Sequence, residues 1–136
     1  FPGHGVISER HQGFLDACRD SGIDLPENHI FYTRSTTHEG ARILAQDIAM
    51  CGQQITAASA LSDVTAYGII EGLQQCGLRV PTDISVTGFD NLALSEYITP
   101  KLTTIAQPID LKAKTAVERT IKLPVQICER NSVREI

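Results

Sequence analysis

No apolar run in this 136-residue chain approaches the roughly 18 residues that a membrane helix needs. No cluster of Lys or Arg stands out either, and 12 basic against 16 acidic residues leave a formal charge of -4 at pH 7. Such a balance offers a phosphate backbone no electrostatic attraction, so these residues alone are not expected to bind DNA. The cysteines Cys18, Cys51, Cys76 and Cys128 show no C-x-x-C spacing, and three of them fall in helical patterns beside apolar neighbours. They read as buried free thiols in a reducing compartment. His4, His11, His29 and His38 lack H-E-x-x-H order and any Cys/His cluster, which leaves no metal signature. Gly3-His4-Gly5 is too short for a dinucleotide loop, no G-x-x-x-x-G-K-[ST] occurs, and Ser59 and Ser62 lie in no G-x-S-x-G elbow. Cofactor binding and hydrolase chemistry therefore lack a sequence basis.

What is present is an ordinary globular composition, 42% hydrophobic and 21% charged. A single domain of this size buries about two-thirds of the surface its unfolded chain exposes, so it needs no disulfide or metal staple. Phe1 is no initiator, and no signal-like n-region or h-region precedes the folded pattern. The chain is accordingly expected to be an excised piece of a longer protein.

Periodicity orders the chain. Ser8 is expected to cap a helix from about Glu9 to Ser21, with Phe14, Leu15 and Cys18 on one side and Gly22 as the stop. Ile30-Phe31-Tyr32 reads as a short strand, and Thr36-x-x-Glu39 as a capping box for a helix bearing Ala41, Leu44, Ala45 and Ile48 on one face, closed by Gly52. Ile55 to Leu61 is the next strand. Ser62 and Asp63 cap a third helix, whose Ala66, Ile69, Ile70 and Leu73 repeat at helical spacing before Gly77. The strand Ile84 to Gly88 follows, then an extended Thr103 to Ala106, a helical Asp110 to Glu118, and an alternation of Leu123, Val125 and Ile127 that fits a final strand. Strands alternating with amphipathic helices predict an α/β domain with a doubly wound parallel sheet, covered by helices on both faces.

Ligands of open α/β sheets collect beyond the carboxyl ends of the strands, which nominates Arg10, Ser35, Ser62, Asp63 and Asp90 as one polar rim. Arginine supplies planar donors and aspartate paired acceptors, a combination that grips adjacent hydroxyls or the edge of a heterocycle. The plainer roles are a helix cap for Asp63, the same for Ser62, and for Arg10 a surface ion pair with Asp16 or Glu9. Asp90 is the strongest candidate, because it follows a Gly88-Phe89 turn at the end of a β-branched run.

Four segments carry a family resemblance: Val80 to Pro108 (VPTDISVTGFDNLALSEYITPKLTTIAQP), Glu9-Arg10-His11-Gln12-Gly13-Phe14, Ser62-Asp63-Val64-Thr65-Ala66-Tyr67-Gly68, and Leu123-Pro124 with Arg130-x-Ser132. Together they resemble the C-terminal part of the effector-binding core of LacI/GalR-type bacterial transcription regulators. The resemblance implies one lobe of a type I periplasmic-binding-protein-like fold. It also implies a cytoplasmic homodimer that senses a small molecule, in particular a carbohydrate, and binds operator DNA through an N-terminal domain absent from these residues. Effector contacts would fall on Arg10, Ser35, Ser62 and Asp90, and Tyr67 and Tyr97 would lie near the dimer seam. Ser35 stands where an aromatic often stacks, which favours a sugar-like effector over a purine, and Ser62 stands where asparagine is usual. The family also spends further residues between the segments that meet near Glu118 and Arg119, so residues are expected to be missing there. No cofactor and no enzymatic activity are implied. A periplasmic sugar-binding protein of a transport system and a small α/β enzyme are the competing readings.

Overall fold

The computed structural model describes residues 6–33, 35–51, 55–110, 112 and 123–135, with Val6 and Ile7 described for their backbone alone. Helix α1 spans Val6–Asp20. It starts before the expected Glu9, so Ser8 lies within its first turn and does not cap it. Gly22 ends the helical path at φ 70°, where the Ile23 N–H donates back to the Cys18 carbonyl at 2.9 Å. After a 3₁₀ turn at Glu27–His29, helix α2 covers His38–Met50. Its N-cap is Thr37, whose side chain accepts from the Gly40 N–H, one residue later than the expected Thr36. Strand β1 is Ala57–Ser59, helix α3 is Asp63–Gln75, strand β2 is Ser85–Asp90, strand β3 is Thr103–Ala106 and strand β4 is Gln126–Cys128. A second 3₁₀ turn, Ala93–Glu96, lies between β2 and β3.

The sheet order is β1-β2-β3-β4, with parallel pairs β1–β2 and β2–β3 and an antiparallel pair β3–β4. The expected α/β fold with a parallel sheet holds for β1, β2 and β3, and the expectation is corrected only at the edge, where β4 runs antiparallel and makes the open sheet mixed. Alternation of apolar residues fixes which side chains share a face, but it says nothing about strand direction. Ile30-Phe31-Tyr32 is no strand. Its aromatic and β-branched content fits a half-buried surface, and Phe31 does pack on the core, but the backbone finds no neighbouring ladder among the described residues. Gly52 and most of the expected helix Asp110 to Glu118 lie outside the described residues.

The core gathers Ile48, Ala66, Ile70, Leu73, Ile84, Val86 and Leu102 between α2, α3 and the sheet. Leu73, Val86 and Leu102 are fully buried, and each such side chain contributes about 1.5 to 3 kcal/mol by leaving water. Helices α2 and α3 approach through small residues. Gly68 and Gly72 face Ala41 and Ala45, and an added Cβ on either glycine would run into the His38 or Arg42 carbonyl. All four cysteines are free thiols, but only Cys18 is buried. Cys76 is exposed, Cys51 and Cys128 are half-buried, and the expectation of buried thiols is corrected for these three. Cys76 sits at the C-cap of α3, where a helical pattern meets solvent.

Candidate functional site

The carboxyl ends of β2 and β3 end side by side, with Asp90 in register with Ala106. This register sets Gln107, the next residue after β3, beside Asp90, and the Gln107 amide donates from Nε2 to Asp90 Oδ1 at 2.5 Å. Arg10 reaches the same oxygen from the second turn of α1, with Nη2 to Oδ1 at 3.0 Å, while its Nη1 donates to the Leu61 carbonyl at 2.7 Å. The guanidinium lies 3.9 Å from the centroid of the Phe89 ring, a cation–π contact that fixes its plane. Both partners are mostly shielded, with side-chain exposures of 15% and 26%. Arg10 is therefore not the surface partner of Asp16 or Glu9. Asp16 pairs instead with Arg19 at 2.8 Å.

The loop after β2 is bent into uncommon backbone. Asp90 has φ 120° and Asn91 φ 52°, positions that L side chains resist and that cost on the order of 1 to 3 kcal/mol each. Surrounding groups hold it. The Asn91 N–H donates to Thr104 Oγ1 at 3.3 Å, the Leu92 N–H to Asp63 Oδ2 at 2.7 Å, and Arg130 Nη2 to Asn91 Oδ1 at 2.9 Å.

Asp63 takes a different role from the cap expected of it. Ser62 is the N-cap of α3, accepting from the Thr65 N–H at 3.3 Å, and Asp63 turns inward to complete burial. Its carboxylate accepts from the Leu92 N–H, from Ser95 Oγ at 2.8 Å and from the Thr104 hydroxyl, so the buried charge is met by three donors. Ser95 in turn exchanges a 2.8 Å hydrogen bond with the Tyr67 phenol. Tyr67 is buried, and burial pushes its phenol above the ordinary value, with the nearby Asp63 charge acting in the same direction. Tyr97 is 80% exposed.

The structure thus brings Arg10 and Asp90 into direct contact and places Ser62 next to the Leu61 carbonyl that Arg10 holds. Ser35 stands in the turn before α2, its Oγ paired with Thr37 Oγ1 at 3.0 Å. No hydrogen bond joins it to the other three among the described residues. A cavity of about 380 Å³ opens from this rim, lined by Asp90, Asn91, Gln107, Pro108, Ile109 and Asp110. Among the described residues no group of three or more His, Cys, Asp and Glu side chains is placed to hold a metal ion, and no helix is long and apolar enough to cross a membrane. Gln107 and Asn91 were not singled out by sequence reasoning. The signal for Gln107 was the offset between two strand ends, which becomes readable once the register is known. A guanidinium, a carboxylate and a carboxamide meeting at one edge present donors and acceptors a few ångströms apart, the pattern that vicinal hydroxyls require.

A mixed α/β sheet with polar side chains converging at its carboxyl edge is the architecture of a ligand-binding lobe. A family model described as a periplasmic binding protein-like domain matches residues 2–132. The chain belongs to this periplasmic binding protein-like family, in the form that serves as the effector-binding core of LacI/GalR-type regulators. It is 41% identical over 113 residues to the HTH-type transcriptional repressor PurR of Vibrio vulnificus, an alignment covering 83% of this chain and 34% of that protein. With PurR of Erwinia tasmaniensis it shares 35% over 139 residues, covering 93% and 40%. Among solved structures, a LacI family transcriptional regulator from Enterococcus faecium with bound ribose superposes with a TM-score of 0.74 at 30% identity, covering 93% of this chain and 51% of that one. A sugar-binding LacI family regulator from Escherichia coli complexed with phosphate gives 0.79 at 25%, covering 92% and 49%. The chain spans well under half the length of these curated repressors.

Proposed function

We propose that this chain forms one lobe, the C-terminal one, of the effector-binding domain of a cytoplasmic LacI/GalR-type repressor, and that its rim clasps a sugar or related polyol. The observation that carries the reading is the Arg10–Asp90 pair, brought together by α1 and β2 and braced by Gln107, with Asp90 and Gln107 lining a cavity. Bound ribose in the Enterococcus faecium relative and the sugar-binding description of the Escherichia coli relative support the ligand class. Ser35, without a stacking face, agrees with it. The rim recognises and does not transform: its groups position hydroxyls, and the response is a shift in the relative orientation of two lobes that alters operator affinity through a separate DNA-binding domain. In the full protein the lobe would work as a homodimer, with exposed Tyr97 at the seam and Tyr67, buried beneath the surface, beside it.

The test uses the full-length protein and calorimetry with D-ribose, a panel of other pentoses and hexoses, and purine bases. Arg10→Ala and Asp90→Ala should each weaken binding of the sugar that titrates by more than about 1 kcal/mol, because each deletes a charge-assisted hydrogen bond. Unchanged affinity in both variants would remove the rim from the binding site, and heat on titrating purines alone would overturn the sugar assignment.

A further inference from the structure

We propose that Arg130 is a positioning residue of the effector rim: acting through Asn91, it holds the left-handed backbone that aims the Asp90 carboxylate at Arg10 and Gln107. The inference rests on the effector-binding reading of that rim and adds a residue that lies 39 positions along the chain from Asn91 and does not line the cavity.

Arg130 follows the edge strand β4, and its own backbone is fastened before its side chain acts. The Arg130 N–H donates to Thr103 Oγ1 at 2.7 Å, and two residues on, Ser132 is fully buried, donating to the Val86 carbonyl at 2.6 Å and accepting from the Thr103 N–H at 2.8 Å. From this anchored base the side chain, 13% exposed, spans the gap between β3 and the loop. Nη1 donates to the Leu102 carbonyl at 2.9 Å, and Nη2 to Asn91 Oδ1 at 2.9 Å and Glu96 Oε1 at 3.2 Å. Both terminal nitrogens of the guanidinium are engaged by protein acceptors, which suits a brace better than a ligand contact. Its planar fork reaches a carbonyl and an amide oxygen at once, which a lysine ammonium does not reproduce.

The loop needs such a brace. Asp90 and Asn91 are the two non-glycine residues with positive φ among the described residues, and they are consecutive. Asparagine tolerates that region better than other side chains but still prefers extended backbone, and Asp90 has no such tolerance at φ 120°. Asp63 and Thr104 fix the N–H groups of Leu92 and Asn91, and Arg130 fixes the Asn91 side chain. Relaxation of Asn91 toward negative φ would swing the preceding carboxylate off the line to Arg10.

A thermodynamic cycle with two readouts tests this in the full-length protein. Arg130→Met should accelerate hydrogen exchange at the Asn91 and Leu92 amides about tenfold or more while leaving the Ala60 amide, bonded to the Thr87 carbonyl, unchanged. The same variant should weaken D-ribose binding about tenfold, but less than about twofold in an Asn91→Gly background, since glycine adopts positive φ without help. An equal loss in both backgrounds, or unchanged exchange at Asn91 and Leu92, would overturn the proposal by making Arg130 a general structural residue. If the unmodified protein fails to bind ribose, the binding arm uses the sugar of the panel that titrates; if none titrates, the sugar reading fails while the exchange measurement still judges Arg130. Should Arg130→Met not fold, Asn91→Gly and Asn91→Val carry the same test. Glycine should keep the exchange rate at Leu92 within about threefold of the unmodified protein, and valine, which resists positive φ, should raise it at least about tenfold. Equal effects of the two would overturn the proposal.

Discussion

Two aspartates of this chain are set to opposite tasks by their surroundings. Asp90 keeps a quarter of its side chain exposed, lines the cavity and pairs with the Arg10 guanidinium, while Asp63 is fully buried and accepts from protein donors. Truncating Asp63 to alanine leaves the Leu92 N–H and two hydroxyls without their acceptor in a dry setting. Asp63→Ala should therefore lower the unfolding free energy by about 2 to 4 kcal/mol in urea titrations, the range for breaking a buried network. Gln107 works at the other end of the pair: its amide N–H stabilises the Asp90 carboxylate and its Oε1 accepts from Lys112 Nζ at 3.1 Å. Gln107→Glu would place a second carboxylate against Asp90, and sugar affinity should fall about fivefold or more in calorimetry, an effect that Gln107→Ala should show more weakly.

At the scale of elements, the contact between α2 and α3 depends on missing side chains. Alanine is the better helix former by about 1 kcal/mol, so an exposed helical glycine would be improved by Gly→Ala. At Gly68 the added methyl meets the His38 carbonyl and sits 2.8 Å from Ala41 Cβ, and overpacking outweighs propensity. Gly68→Ala should lower the melting temperature, with a net loss of about 1 to 3 kcal/mol. The turn between α3 and β2 carries a pH-dependent link. Asp83 is held down to about 2 from an ordinary 3.8 by hydrogen bonds from the Arg79 side chain and N–H. Its folded-state value is depressed, so its contribution is complete above pH 3.8 and is lost as pH falls from there toward about 2. The stability gap between the unmodified protein and Asp83→Asn should shrink across that acid window in parallel denaturant titrations and stay constant above pH 5 or so.

For the whole molecule, the proposed reading makes this chain one wall of an effector cleft, and a ligand that binds the folded form alone stabilises it by mass action. Saturation with the cognate sugar at about 100 times its dissociation constant should raise the stability of the full-length protein by about 2.7 kcal/mol, visible as a concentration-dependent rise in melting temperature. The Asp90→Ala variant should lose most of that rise at the same ligand concentration. A rise of equal size in that variant would place the ligand elsewhere.

The existence and order of α1, α2 and α3 and the stops at Gly22 and Gly77 were determined by the sequence itself, because they rest on local chemistry. The i, i+3, i+4 pattern of Ala66, Ile69, Ile70 and Leu73, the Ser62 cap, and the glycines at 22 and 77 that adopt positive φ act within a few residues of themselves. Arg10, Ser62 and Asp90 were legible as members of one edge because strand ends and helix starts alternate in a fixed geometry. Strand direction at β4, the inward turn of Asp63, and the meeting of Gln107 and Arg130 with the loop at Asp90 and Asn91 were decided only by tertiary structure. Each joins residues 17 or more positions apart through register and packing, and neither quantity is encoded in any local run of side chains.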